Sequence, residues 1–331
     1  MSTPDVSVLL VTYNHEKFIA QAIESVLAQQ TRFGFELLIS EDCSTDRTRE
    51  IVQAYQRANP GRIRLFLSER NLCDGSVVTR AWMAAEGRYV AMLDGDDYWT
   101  STDKLQRQRD FLETHPEYSA CCHNGLIVWE DSREPPQVYH PEGKKTTLLE
   151  KDVWLGNDIL ACSMMHRRNS VSSFPEWYYG VEVGDWPINM MGAAQGPIKY
   201  LPEVMAVYRQ HAGGYWSTRS VIDRENLAIA FLGRAARGFG PAYRDLASAG
   251  TVIRRTRIAG AYQAAGETKQ AWHVLGRSWR EGMRNPHISF RWLVRVTLEI
   301  KAPGVHRHVQ RLYDFIRVMP GRVAGHLGIK R

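Results

Sequence analysis

GRYVAMLDGDD, residues 87–97, is the stretch on which the reading of this chain turns. Residues 89–93 form an apolar, β-prone run without polar alternation, as expected of a strand buried on both faces. The run stops at Asp94-Gly95-Asp96-Asp97. Three carboxylates within four residues repel one another unless a positive charge lies between them. A hard divalent cation, Mg2+ or Mn2+, takes oxygen ligands, bridges to substrate phosphates and relieves that repulsion. The same residues also suit an acidic turn at the start of a helix.

Working outward, the arrangement of an apolar run followed by a polar cluster occurs twice more upstream. VSVLLV (6–11) reads as a strand and ends in Thr12-Tyr13-Asn14-His15; FELLIS (35–40) ends in Glu41-Asp42-Cys43-Ser44. Helical spacing follows each, with Phe18, Ile19, Ala22, Ile23, Val26 and Leu27 on one side of residues 16–29, and a second helix over 45–58 that Ser44 or Thr45 caps. Residues 63–67 read as a third strand and 76–85 as a third helix. Strands alternating with helices imply βαβ units and a mostly parallel sheet covered on both faces. Ligands of such sheets bind beyond the carboxyl ends of the strands, where all three polar clusters fall.

Further along, residues 130–145 are rich in Pro and charge and read as a loop. Strands are expected within 158–166 and 199–209. Beyond residue 221 the pattern is helical, with a helix pair turning at Ala265-Gly266.

At 331 residues and 44% hydrophobic, the chain buries a full core in one large domain or two smaller ones. Its five cysteines are scattered without CxxC spacing, which argues against a zinc site or disulfide framework. No basic leader precedes the first strand and no run of about 18 apolar residues occurs, so a cytoplasmic location is expected. Residues 222–331 hold 20 Lys+Arg against 7 Asp+Glu, a net of +13; since the chain carries +6, the part before them carries −7. Such a basic region suits peripheral contact with the inner face of a membrane, polynucleotide binding, or a solvated surface.

VSVLLVTYNHEKFIAQAIESVLAQQ, ISEDCSTDRT and GRYVAMLDGDDYW, in that order, resemble the nucleotide-binding half of the family-2 glycosyltransferases with the GT-A fold. That resemblance implies a Rossmann-like sheet flanked by helices, followed by a C-terminal helical region. It divides the chain into a nucleotide-sugar half (1–115), an acceptor half (116–220) and a basic helical region (221–331). It implies an inverting, metal-dependent transfer from a nucleotide diphosphate sugar, UDP first and dTDP next, to an acceptor hydroxyl. The acceptor would be a glycan, a lipid-linked saccharide or a small molecule in bacterial glycan biosynthesis. Thr12, Tyr13, Asn14 and Asp42 would hold the nucleoside, with Asn71 and Arg80 matching a looser pattern. Asp94 would lie near the ribose or sugar, and Asp96 with metal and diphosphate. Asp97 would share the metal or orient its neighbours.

Val183-Gly184-Asp185-Trp186 stands where the family carries its general base, with Gly in place of the first acid of the usual pair. Asp185 is therefore the expected base and Glu182 the alternative. A hydroxyl is a poor nucleophile at neutral pH, and a carboxylate within reach takes its proton as the new bond forms. Tyr208-Arg209-Gln210-His211 resembles the family's YRxH segment, which makes His211 a candidate metal or diphosphate ligand. The Gly-rich residues 213–217 after it suit a lid. Trp186 and Trp216 fit a sugar face or the core. A nucleotidyltransferase would share sheet and metal site, but its Gly-rich, Lys/Arg-bearing first loop is Thr-Tyr-Asn-His here. A dehydrogenase would show GxGxxG after the first strand, which is absent. A non-catalytic module binding polynucleotide through the basic region is the remaining alternative; the intact acidic motifs count against it, and no nucleic acid is expected.

Overall fold

The computed structural model describes residues 3–140, 145–182 and 184–301. The described residues fall into two compact units, 3–219 with Arg234–Phe239, and Ser220–Gly233 with 240–301.

The first unit opens with β1 (Val6–Thr12), α1 (Ile19–Leu27), β2 (Phe35–Glu41), α2 (Thr48–Ala58), β3 (Ile63–Leu67), α3 (Ser76–Met83) and β4 (Tyr89–Asp94). Every residue of β2 is buried, and so are all but one of β1, because helices cover both faces of parallel strands. In α1 the buried set is Ile19, Ala22, Ile23 and Val26, the spacing that puts one apolar stripe on the sheet. Helix α2 is not capped by Ser44 or Thr45: Asp46 accepts the Thr48 amide at 2.9 Å instead.

After β4 come β5 (Tyr98–Trp99), α4 (Lys104–Thr114), β6 (Ala120–Trp129), β7 (Gln137–Val138), β8 (Thr147–Leu148), α5 (Glu150–Leu155), β9 (Met165–Arg167), α6 (Asp185–Ala193) and β10 (Ile198–Gln210). All ten strands join one sheet whose main path runs β3-β2-β1-β4-β9-β6-β10-β5. The pairs β3/β2, β2/β1, β1/β4 and β6/β10 are parallel; the short β9 joins the two halves antiparallel to both β4 and β6. The strand expected over 158–166 is instead a 3-10 turn, Ala161–Ser163, followed by the three residues of β9. Ser163 bends back to donate to the Leu160 carbonyl at 2.7 Å, which closes the turn.

Register places the polar strand ends side by side. Val11 pairs with both Ser40 and Asp94, and Thr12 with Glu41. The Gly95 amide donates to Val11 O at 2.8 Å and the Asp42 amide to Thr12 O at 3.0 Å. All three loops therefore leave one edge of the sheet together.

Most of α7 (Val221–Phe239), with α8 (Arg244–Ala264), α9 (Thr268–Gly282) and α10 (Phe290–Lys301), builds the second unit. The turn between α8 and α9 falls at Ala265-Gly266, where Gly266 has φ +79°. Glu225 receives both Arg254 and Arg257 at 3.3 Å, and Trp279 donates to Thr297 at 2.9 Å. No helix among the described residues is long and apolar enough to cross a membrane. Part of the basic region, residues 302–331, lies outside the described residues.

Candidate active site

The acidic turn after β4 is held from three sides. Gly95 packs so closely on the β1–α1 loop that a Cβ there would lie 2.5 Å from Thr12 Oγ1 and 2.8 Å from His15 Nδ1. Arg209, at the end of β10, donates from its backbone to Asp97 Oδ1 at 2.9 Å and from Nε to Asp96 O at 2.7 Å. Its guanidinium lies over the rings of Phe18 and Tyr98 and reaches Gln21 and Glu130. Nothing in the sequence reading assigned Arg209 a role, although it belongs to the YRxH segment.

Asp96 Oδ2 is the focus of the site. His211 Nε2 lies 3.1 Å from it, and His15 Nε2 3.7 Å. Of the expected metal residues, Asp96 and His211 are thus brought together, and His15 joins them unannounced. Asp97 stands apart from this group, fully buried, its Oδ1 taken by the Arg209 amide.

The three carboxylates do not share one charge state. Burial, then Asp96 and Asp185, push the Asp94 carboxyl up to about 8. Burial and the charges of Asp96 and Asp94 raise Asp97 well above the usual range. Burial works against Asp96 too, but the His211 hydrogen bond and the neighbouring histidines outweigh it and hold Asp96 low. Asp96 is therefore the most readily ionised of the three, and Asp94 and Asp97 hold their protons more strongly. Burial also lowers the His15 pKa, against the pull of Asp96.

Asp185 begins α6 and faces this cluster closely enough for its charge to act on Asp94. Asn157 donates to it at 2.8 Å, and burial raises its pKa, the shift that makes a carboxylate a better proton acceptor. Glu182 is placed differently. It accepts from Tyr215 and pairs with Arg219 at 2.8 Å; these hydrogen bonds outweigh its partial burial and lower its pKa. Trp186 is core: its Nε1 donates to Val153 O at 2.7 Å and its ring is buried.

The expected nucleoside residues form a second group at the ends of β1 and β2. Asp42 is buried, and its carboxylate accepts from Ser68 Oγ (3.0 Å) and from the amides of Leu72 (3.0 Å) and Cys73 (3.1 Å). Asn71 accepts from the Cys73 thiol. Arg80 donates to Ser40 Oγ at 2.8 Å and to Glu41 O at 3.0 Å, bracing the end of β2. Asn14, with φ 54°, accepts from the Thr45 amide at 2.8 Å while its own amide donates to Ser44 at 3.0 Å, lacing the first two loops together. Thr12 turns its hydroxyl to His15 Nδ1 at 3.2 Å, and Tyr13 is exposed.

Residues 7–171 match the family described as glycosyl transferase family 2. An uncharacterised protein of Mycobacterium tuberculosis is 35% identical over 214 residues, which cover 63% of this chain and 60% of that one. The chain thus spans less than two thirds of the length of that curated relative. Among solved structures, S. aureus TarS 1–349 in complex with UDP-GlcNAc superposes with TM-score 0.63 at 20% identity, covering 89% of this chain and 86% of that one. The Pyrobaculum calidifontis mannosyltransferase PcManGT, solved with GDP-Man and Mn2+, does so with TM-score 0.56 at 17% identity, covering 93% and 83%. These likenesses establish the fold as the GT-A type.

Proposed function

The chain belongs to glycosyl transferase family 2 through residues 7–171, and from that membership we propose that it transfers a sugar from a nucleotide diphosphate to an acceptor hydroxyl with inversion. The observation that carries the reading is the meeting of Asp96 and His211 beside Asp94, with Asp185 near enough for its charge to act on Asp94. UDP is the preferred nucleotide and dTDP the next, and the acceptor is a glycan, a lipid-linked saccharide or a small molecule of bacterial glycan biosynthesis.

A divalent cation, Mn2+ or Mg2+, fits this donor set, because a carboxylate oxygen and two imidazole nitrogens converge there. Asp96 and His211 would hold it, and when bound it supplies Lewis-acid neutralisation of the departing diphosphate. Asp94, protonated at neutral pH in the free protein, is a hydrogen-bond donor to a sugar or ribose hydroxyl. Asp185 takes the acceptor proton, and Asn157 fixes the orientation of its carboxylate. Glu182 is engaged by Tyr215 and Arg219, which favours Asp185 over it as the base. Arg209 keeps the acidic turn in place on both its backbone and side-chain sides. A nucleobase N–H at Asp42 would share its carboxylate with the Ser68 hydroxyl and the Leu72 and Cys73 amides.

The test is a screen of UDP-, dTDP- and GDP-sugars for thermal stabilisation and donor hydrolysis, with and without chelator. Metal-dependent stabilisation by UDP-sugars is expected; a flat response to every donor in Mn2+ would sink the reading. The basic region beyond residue 221 is proposed to rest on anionic lipid near a lipid-linked acceptor. Co-sedimentation with vesicles that ignores their anionic content would remove that part.

A further inference from the structure

We propose that His15 is a third protein ligand of the cation, and that a site of two imidazoles and one carboxylate selects a first-row transition ion such as Mn2+ over Mg2+. The proposal takes from the glycosyltransferase reading only the use to which the ion is put.

Spacing supports a single ion. Two ligands at about 2.1 Å from one centre stand roughly 3.0 Å apart when at right angles and about 4.2 Å when opposed. His211 and His15 present Nε2 to the same Asp96 oxygen at 3.1 and 3.7 Å, and the three ligand atoms lie within 4.8 Å of one another. Each histidine is aimed by its surroundings. Thr12 Oγ1 lies 3.2 Å from His15 Nδ1, and in the tautomer that donates its Nδ1–H to that hydroxyl, Nε2 offers its lone pair to the site. The His15 backbone is pinned by Thr48 Oγ1 at 2.8 Å. The His211 ring packs on Phe18, with centroids 4.6 Å apart. The three side chains are 8–18% exposed, so they are shielded from solvent but not sealed off.

The donor set then decides the metal. Mg2+ keeps oxygen ligands and gives up its water reluctantly, whereas imidazole favours the later first-row dications. Three protein ligands from the β1–α1 loop, the β4 turn and the end of β10 also retain an ion without help from donor phosphates. The metal would therefore load first, and it would tie together three loops that also meet through Gly95, Arg209 and the packing of His211 on Phe18.

The experiment adds Mn2+ alone to the full chain, with no nucleotide. Its bound fraction is read by electron paramagnetic resonance, and its nitrogen ligands are counted by pulsed measurement. Expected are binding that about a tenfold excess of Mg2+ does not displace and Co2+ does, and coupling to two histidine nitrogens. His15→Gln should leave one nitrogen and lower Mn2+ affinity about tenfold or more. One nitrogen in the wild-type spectrum, displacement by Mg2+ at parity, or equal affinity in the variant would each overturn the assignment. Should the variant fail to fold, the wild-type nitrogen count decides alone. A protein that loads Mn2+ through two histidines yet binds no nucleotide sugar would refute the transferase reading and leave this one standing.

Discussion

Replacing Asp94 with Asn removes the carboxyl that burial, Asp96 and Asp185 push up to about 8. In the unfolded chain the same group ionises near 3.8. Between those values the folded state holds a proton that the unfolded state has released, so stability falls as pH rises through the window. From 3.8 to pH 7 the cost is about 4 kcal/mol for a carboxyl wholly out of water. Solvent reaches part of the residue, which halves this to about 2 kcal/mol. Urea denaturation in chelator at pH 7 should thus find Asp94→Asn more stable than wild type by about 2 kcal/mol, with the advantage shrinking toward pH 4. Transfer with Mn2+ and donor should fall by about 100-fold or more, because a group aimed at the reacting sugar has been altered. The site would then be a place where stability is given up for function. Equal stability at pH 7, or a gain that does not change with pH, would refute the electrostatic account even if activity were lost.

Asp185→Asn keeps the Asn157 contact in reach and should leave donor binding intact while lowering transfer by about 10²- to 10⁴-fold; Glu182→Gln should retain the chemical step, and single-turnover rates separate the two. Gly95→Ala forces a Cβ against Thr12 and His15, so it should destabilise the fold by about 1–3 kcal/mol and weaken Mn2+ binding, as calorimetry would show. Lys104 lies wholly buried on the Trp99 ring, and burial lowers its amine to about 7. The unfolded chain keeps that proton up to 10.5, so between pH 7 and 8.5 wild-type stability should climb by about 2 kcal/mol relative to Lys104→Met; parallel denaturation curves would contradict this.

How much of this could be read beforehand depended on distance along the chain. The first half of the sheet was legible because each strand is an unbroken apolar run and each helix shows its own stripe, as in Ile19, Ala22, Ile23 and Val26. Strand β6 was not read at all. Its ACCHNGLIVW run is interrupted by His123, Asn124 and Gly125, polar or small residues that look like loop. They are tolerated inside because Asn124 bonds to His140 at 2.9 Å and His123 to the Asn124 carbonyl at 2.7 Å, contacts no local pattern announces.

The site divides along the same line. Carboxylates adjacent in sequence declare their mutual repulsion, so Asp94, Asp96 and Asp97 stood out. Which of them keeps its charge did not, since that is decided by His211, more than a hundred positions away, and by His15 on another loop. Asp42 carries the complementary lesson. Its place after β2 marks it as a ligand for a base, yet the Ser68 hydroxyl and the amides of Leu72 and Cys73 already occupy much of its carboxylate. A sequence names the groups that can accept; only the packed loops determine which acceptors are still open. Here the acceptor held most readily ionised is Asp96, and the atoms gathered round its carboxylate oxygen are the imidazole nitrogens of His15 and His211. That combination attracts a cation and offers it ligands, which is why the metal, more than any single side chain, is the component on which the proposed chemistry depends.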